Sequence, residues 1–335
     1  MKRNVGIRDV ALEANVSIAS VSRAINHPQG VSPEVKRRID LAIIKLGYIP
    51  DAAARALASR STRTIGAIIP TIDNAMFARG IAALQKFLDS QGYLLVLTTN
   101  DYDPEIEYRQ ALNLIGRGVD ALLLRGDTHT DEMRALLAQQ RTPFINVGVY
   151  HPDKAYPSIG TNNEKVAYQA CRYMLDLGHR QIGVVAALTR HNDRSTARVN
   201  GIRRALAEAN LPLREDWCLE VPYRLDDASQ AARALLRNKS RPTGVLCGND
   251  VIAYGVLLEA QEMGLSVPGD VSIIGFDDLE WSRHLRPRLT TIHVPIEELW
   301  QRAGDYLVRI LRGEAPQMHF EMSASLVVRE STRHI

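Results

Sequence analysis

Three hydroxyls and a guanidinium fall close together near the N-terminus: Ser17, Ser20, Ser22 and Arg23, inside the stretch ANVSIASVSRAI. Serine oxygens and an arginine fork can donate hydrogen bonds to phosphate or to base edges. The charge around them has one dominant sign. Residues 1–63 carry eleven Lys or Arg and five Asp or Glu, a net +6, while the whole chain of 335 residues carries only +3. On charge alone two readings stay open: a nucleic-acid-facing head on a mildly acidic body, or a solvated basic surface.

Other reactive residue types are not spaced for chemistry. Cys171, Cys218 and Cys247 are far apart, odd in number and without CxxC spacing. They argue against a disulfide framework or a zinc site and point to a reducing cytoplasm. The nine histidines are scattered, and His179, in LGHRQIG, reads as a turn-and-packing residue. There is no GxSxG elbow, GxxxxGK[ST] loop, HExxH or GxGxxG. The expectation is no catalytic residue, no metal and no cofactor. No apolar run reaches the roughly 18–20 residues of a membrane span. The opening MKRNVGIRDV lacks the apolar core of a signal peptide. A cytoplasmic location without a membrane partner is therefore expected.

The elements that must hold these residues follow from pattern. Ile7, Val10, Ala11 and Ala14 have helical spacing, with Gly6 as N-cap and Asn15 able to take the left-handed conformation that ends a helix. Ser17 caps a second helix running to about Ile25, with Val16, Val21 and Ile25 facing inward. Two helices joined by so short a turn form a helix-turn-helix. Ser32 followed by Pro33 starts a third helix. Val35, Ile39, Ala42, Ile43 and Leu46 give its inner face, and Gly47 stops it. The next segment, DAAARALASRSTR, is Ala-rich with Leu57 as its sole large apolar residue. It reads as a linker able to become helical in a complex, since short isolated helices are marginal in water.

The texture changes at Ile65. TIGAIIP is a continuous apolar run, as for a strand buried on both faces. An amphipathic stretch at 75–91 follows, then YLLVLTT, a helix near 104–116, VDALLL, a helix near 131–139 and PFINV. The pattern restarts with HRQIGVVAAL, echoing TRTIGAIIPTI. After it come helices near 195–210, 227–237 and 250–263, alternating with CLEV, GVLCG and VSIIGF. Such alternation predicts doubly wound parallel sheets in two similar halves. Ligands of such sheets sit beyond the carboxyl ends of the strands, so two facing sheets would share one cleft.

Taken in order, IRDVALEANVSIASVSRAIN, VSPEVKRRIDLAIIKLGYIP, AARAL, TIGAIIP, DLGHRQIG, RVNGIRRAL, GNDVIAYG, VPGDVSIIGFDD and PRLTTI make a specific set. Through them the chain resembles the lactose-repressor (LacI/GalR) family of bacterial transcription regulators over nearly its whole length. The resemblance implies an α/β protein: an N-terminal all-α helix-turn-helix head plus a two-lobed, doubly wound parallel-sheet domain like a periplasmic binding protein. The implied boundaries are 1–49 for the DNA-binding head, 50–63 for a hinge helix and 64–335 for the effector-binding and dimerisation domain. Lobe one takes about 64–162 and 294–322, and lobe two about 163–293 and 323–331. The implied function is an effector-controlled, sequence-specific transcriptional regulator. It would bind near-palindromic double-stranded operator DNA as a homodimer, as a repressor of a carbohydrate or sugar-acid catabolic operon.

Residue by residue, the resemblance places Ile18 and Ala19 at base-reading positions, with Ser17, Ser20, Ser22, Arg23, Asn26, Tyr48 and Arg55 also on DNA. Leu57 matches a leucine wedged into the minor groove, where apolar wedges kink the duplex. Asp51 departs from the family's usual Asn near phosphate, and its carboxylate suits a helix cap instead. The implied effector-binding residues are Met76, Phe77, Asn192, Arg194, Arg198, Tyr223, Asn249 and Asp277. Of these, Asn249 reads equally well as a helix N-cap and Met76 as plain core. An aromatic platform, a guanidinium and a carboxylate suit a polyol. Two arginines, with His191 close by, are generous for a neutral sugar and point to a sugar acid or another small anion. Gly148 stands where many sugar-binding relatives have Asp, and losing that acceptor agrees. No heptad run follows the last strand to join dimers into a tetramer. Two other classes compete: a binding module without DNA function, which the basic head opposes, and an enzyme of the same architecture, which the missing motifs oppose.

Overall fold

The computed structural model describes residues 5–26, 28–50, 61–238 and 240–335, in two compact units, Met1–Arg63 and Thr64–Ile335. Asp51, Arg55 and Leu57 lie outside the described residues, as does the side chain of Asn26.

The first unit holds α1 (Ile7–Ala14), α2 (Ile18–Asn26) and α3 (Pro33–Leu46). Each boundary has a local cause. The Gly6 amide donates to the Asp9 carboxylate at 2.8 Å, and Asn15 ends α1 in the left-handed region at φ 51°. The Ser17 hydroxyl accepts the Ser20 amide at 3.1 Å at the start of α2, and the Ser32 hydroxyl accepts the Val35 amide at 3.4 Å at the start of α3. Val10, Ala11, Ala14, Val21, Ala24, Ile39 and Ala42 form the buried core of this small unit.

The second unit begins with β1 (Thr64–Ile69), α4 (Ala75–Ser90), β2 (Leu94–Thr99), α5 (Pro104–Gly116), β3 (Ala121–Arg125), α6 (Asp131–Gln140), β4 (Phe144–Val147) and β5 (Ser158–Gly160). The chain then runs through α7 (Asn163–Asp176), β6 (Ile182–Ala187), α8 (Asp193–Glu208), β7 (Cys218–Val221), α9 (Leu225–Leu236) and β8 (Gly244–Cys247). It continues with α10 (Asp250–Glu262), β9 (Ser272–Asp277), β10 (Thr290–His293), α11 (Ile296–Leu311), β11 (His319–Glu321) and β12 (Ser325–Val327). These strands form two sheets, ordered β11-β5-β4-β3-β1-β2 and β12-β10-β9-β8-β6-β7. The two share one winding pattern, and among the described strands only β12 pairs antiparallel, against β10. The chain crosses between the sheets three times: after β5, after β10 and between β11 and β12.

β1 and β6 are buried along almost their full length, which is why their sequences are apolar without alternation. In the first lobe α4 and α11 cover one sheet face, with Trp300 fully buried against Gly80. In the second, α7 and α8 pack so closely at Gly201 that a side chain there would strike the Glu164 carbonyl. No described helix is long and apolar enough to cross a membrane.

Candidate functional site

In the first unit, α2 turns Ile18, Ala19 and Arg23 outward, and Ser17 is exposed beside them. Ser20 and Ser22 are half-buried. The Ser17 and Ser20 hydroxyls lie 2.9 Å apart, so capping and outward donation share the same oxygens. Tyr48 is half-buried and packs on the core of this unit. An exposed helix with two small or apolar side chains and a guanidinium on one face, on a basic unit, suits the major groove.

The second site lies at the carboxyl ends of both sheets. In the second lobe, Asn192 caps α8 through the Ser195 amide at 3.4 Å, while its amide nitrogen donates to the Leu188 carbonyl at 3.2 Å and reaches the Tyr223 hydroxyl at 3.5 Å. Arg194, buried in the first turn of α8, is paired with Asp193 at 2.7 Å. One turn on, the Arg198 guanidinium lies 3.4 Å from the centre of the Phe276 ring. Its Nε donates to the Asn163 side chain at 2.9 Å and its Nη1 to the Gly248 carbonyl at 2.6 Å. Asn249 caps α10 by accepting the Ile252 amide at 2.9 Å, and its buried amide nitrogen has no partner. Both readings of Asn249 therefore apply: its oxygen is a cap, and its nitrogen is left over.

Asp277 ends β9, is 4% exposed, and sits in the left-handed region at φ 107°. A non-glycine residue there is strained, as residues at binding sites often are. Burial pushes its pKa up to about 6, while Arg198, Arg125 and Arg79 pull it down. From the first lobe, Phe77 and Met76 enter α4 almost fully buried, and Phe77 lies 5.5 Å from the Arg125 guanidinium.

Arg125 was not legible as a site residue, although a charged residue closing an apolar strand of a doubly wound sheet is a usable signal. Its Nη1 donates to the Val147 carbonyl at 2.9 Å, its buried Nε has no partner, and it makes no ion pair with a described residue. Burial, followed by the nearby Arg194, pulls it well below the usual arginine range, though a guanidinium remains a cation at neutral pH. Tyr102 is the second addition. Its ring centre lies 6.2 Å from that of Tyr223, and burial raises its pKa, with Tyr223 adding to the rise.

The lobes touch along this cleft. The Asp127 amide donates to the Asp193 carboxylate at 2.8 Å, and the Thr128 hydroxyl donates to the His191 carbonyl at 3.0 Å. Asn163 also donates to the Gly148 carbonyl at 3.0 Å while accepting from Arg198. Thus Arg194, Arg198, Tyr223 and Asp277 share one cleft with Phe77, and the structure adds Arg125 and Tyr102 to them. Among the described residues no cluster of three or more His, Cys, Asp or Glu side chains is placed to hold a metal ion.

Comparison with known proteins bears on both units. Residues 6–51 match the bacterial regulatory proteins of the lacI family, and residues 171–332 match a periplasmic binding protein-like domain. Catabolite control protein A of Priestia megaterium is 32% identical over 98% of this chain and 100% of its own. The HTH-type transcriptional repressor PurR of Vibrio campbellii is 35% identical over 98% of this chain and 99% of its own. The lac repressor dimer, solved on operator with the anti-inducer ONPF, superposes with a TM-score of 0.88 at 26% identity, covering 99% of this chain and 100% of that one.

Proposed function

Because the chain belongs to the lacI family of bacterial regulatory proteins, and is a sequence-specific DNA-binding transcriptional repressor rather than an enzyme, we propose that its cleft takes a small hydroxylated anion that governs a carbohydrate or sugar-acid operon. The observation that carries this reading is the surplus of guanidinium. Arg125, Arg194 and Arg198 face one cleft, and Asp193 already neutralises Arg194. Arg125 is half-buried without an anionic partner among the described residues, and an anionic ligand compensates such a cation through charge-assisted hydrogen bonds. Arg125, more than Arg194, is thus the guanidinium that calls for an anion. Asp277, with no side-chain hydrogen bond among the described residues, is left to accept from ligand hydroxyls, and Tyr223 offers a ring for stacking.

At the other site, Ile18 and Ala19 read thymine methyls by contact, while Ser17, Ser20, Ser22 and Arg23 donate to phosphates or bases. The protein acts in the cytoplasm as a homodimer on a near-palindromic operator, since a two-fold protein matches a two-fold site. The dimeric lac repressor on its operator supports this. The ligand controls DNA through its different affinity for two states of the protein.

A neutral sugar is the second reading, favoured by the acceptor at Asp277. Calorimetry with matched pairs of sugar acid and neutral sugar, followed by an operator gel shift with whichever binds, separates the two. The anionic reading expects heat from an acid and none from its neutral partner. Tight binding of a neutral sugar that survives Arg125→Met overturns it and leaves the regulator assignment intact.

A further inference from the structure

Arg125 and Arg194 come from opposite lobes and line the same small polar pocket, whose wall also includes Asn100, Tyr102, Thr128, His191 and Glu107, the last with its carboxylate held by His129 at 2.6 Å. We propose that this pocket is an oxyanion subsite, in which a carboxylate or phosphoryl group bridges Arg125 of one lobe to Arg194 of the other. The inference rests on the anionic reading above and gives the anion its place.

Two glycines make the seats. Gly148 follows β4 at φ 86°, and a side-chain carbon there would fall on the Arg125 guanidinium. Gly126 follows β3 at φ 83°, and a side-chain carbon there would fall on the guanidinium of Arg194. Both φ values lie where a side chain is disfavoured, so the turns and the space call for the same residue.

The hydrogen-bond inventory leaves donors over. Arg125 uses Nη1 on the Val147 carbonyl and leaves Nε without a partner. Arg194 uses Nη1 on Asp193, whose other oxygen holds the Asp127 amide across the lobes. Asp193 meets Arg194 through one oxygen and Arg125 has only a carbonyl, so an oxyanion in the pocket they both line can accept from the remaining donors of each. Because one arginine belongs to each lobe, the bound anion favours the arrangement in which the lobes touch.

The test uses the full chain with sodium phosphate and sodium acetate as probes, at ionic strength held constant with sodium chloride. Thermal melting and calorimetry read the result. Saturable stabilisation on the order of millimolar probe is expected. Arg125→Met and Arg194→Met should each weaken it by at least about 10-fold. Arg125→Lys keeps the charge but loses the fork, and should fall between wild type and Arg125→Met. Lys86→Ala, which removes an exposed cation away from both sites, should leave the response unchanged. A response to phosphate alone supports a phosphoryl ligand, and one to acetate alone supports a carboxylate. No saturable response, or a response equal in Arg125→Met, Arg194→Met and wild type, overturns the subsite. An anionic effector bound with full affinity by Arg125→Met would overturn the subsite while sparing the anionic reading, whereas a neutral effector would remove the reading itself.

Discussion

Asp250, the first residue of α10, has no exposed surface, and its carboxylate holds three donors. The Leu279 amide lies at 2.7 Å, the Ser282 hydroxyl at 2.6 Å, and the Thr291 hydroxyl bonds the other oxygen. Burial pushes its pKa up to about 7, against the pull of Ser282 and Thr291, and Asp277 adds to the rise. An unfolded aspartate titrates near roughly 3.9. Between these values the folded chain keeps a proton that the unfolded chain has released. Stability from this group is therefore fully present below about pH 4 and is lost as pH rises through about 7. Each pH unit well inside that window corresponds to about 1.4 kcal/mol and the slope halves at the folded pKa, so the interval from pH 5 to 7 amounts to about 2 kcal/mol. We expect Asp250→Asn to remove this slope. The amide oxygen still accepts from Leu279 and Ser282, and the amide nitrogen donates to the Thr291 hydroxyl, which turns to accept. Between pH 5 and pH 8 the variant should gain about 2–3 kcal/mol relative to wild type, a change in the Tm difference on the order of 5 °C. Circular dichroism melts of the full chain from pH 5 to 8 give the comparison. The titration of Asp277 moves both proteins and largely cancels in the difference. A Tm difference that stays constant with pH refutes the reasoning.

Arg23→Ala should weaken operator binding by about 1–3 kcal/mol if the guanidinium reads a base, and wild-type affinity in a fluorescence titration would exclude that role. Binding by the unaltered protein should fall steeply with added salt, because phosphate contacts release counterions; a flat salt dependence would remove the basic unit from the interface. Gly201→Ala should destabilise the second unit by about 2 kcal/mol or more despite the higher helix propensity of alanine, since the α7 backbone must retreat from the new methyl. A urea midpoint at or above that of wild type would show that the two helices can separate at no cost.

Local signals made much of the fold legible. Asn15, Ser17, Ser32 and Gly47 set helix ends through their own side chains or backbone freedom, so their effects are written within a few residues. The apolar runs of β1 and β6 announce burial on both faces for the same reason. Helices α7 and α11 were not among the expected elements although both carry local signals, the Asn162 cap of α7 and the acidic first turn and apolar stripe of α11; what local spacing does not tell is their partners, Trp300 of α11 against Gly80 of α4 among them. Strands β11 and β12 are three residues each and acquire meaning only from their neighbours β5 and β10. The candidate cleft divides in the same way. Arg198 and Asp277 were readable from motifs, whereas Arg125 depends on Gly148, which is distant in sequence and is brought to it by the pairing of β3 with β4. That Arg194 is tied to its own neighbour Asp193 is a matter of rotamer, which no spacing rule records.

The three crossings between the sheets have a consequence for synthesis. The helical unit Met1–Arg63 has all its residues in hand early, whereas the first lobe waits for α11 and β11, which emerge only after nearly the whole second lobe. Until then the face of the first sheet that Trp300 will cover stays open on the ribosome, while the N-terminal unit is already complete. A premature stop anywhere between β5 and α11 leaves both lobes without a closing piece at once. Such fragments expose apolar sheet to the cell's proteases and chaperones, so truncation should leave little soluble protein to compete for operator sites.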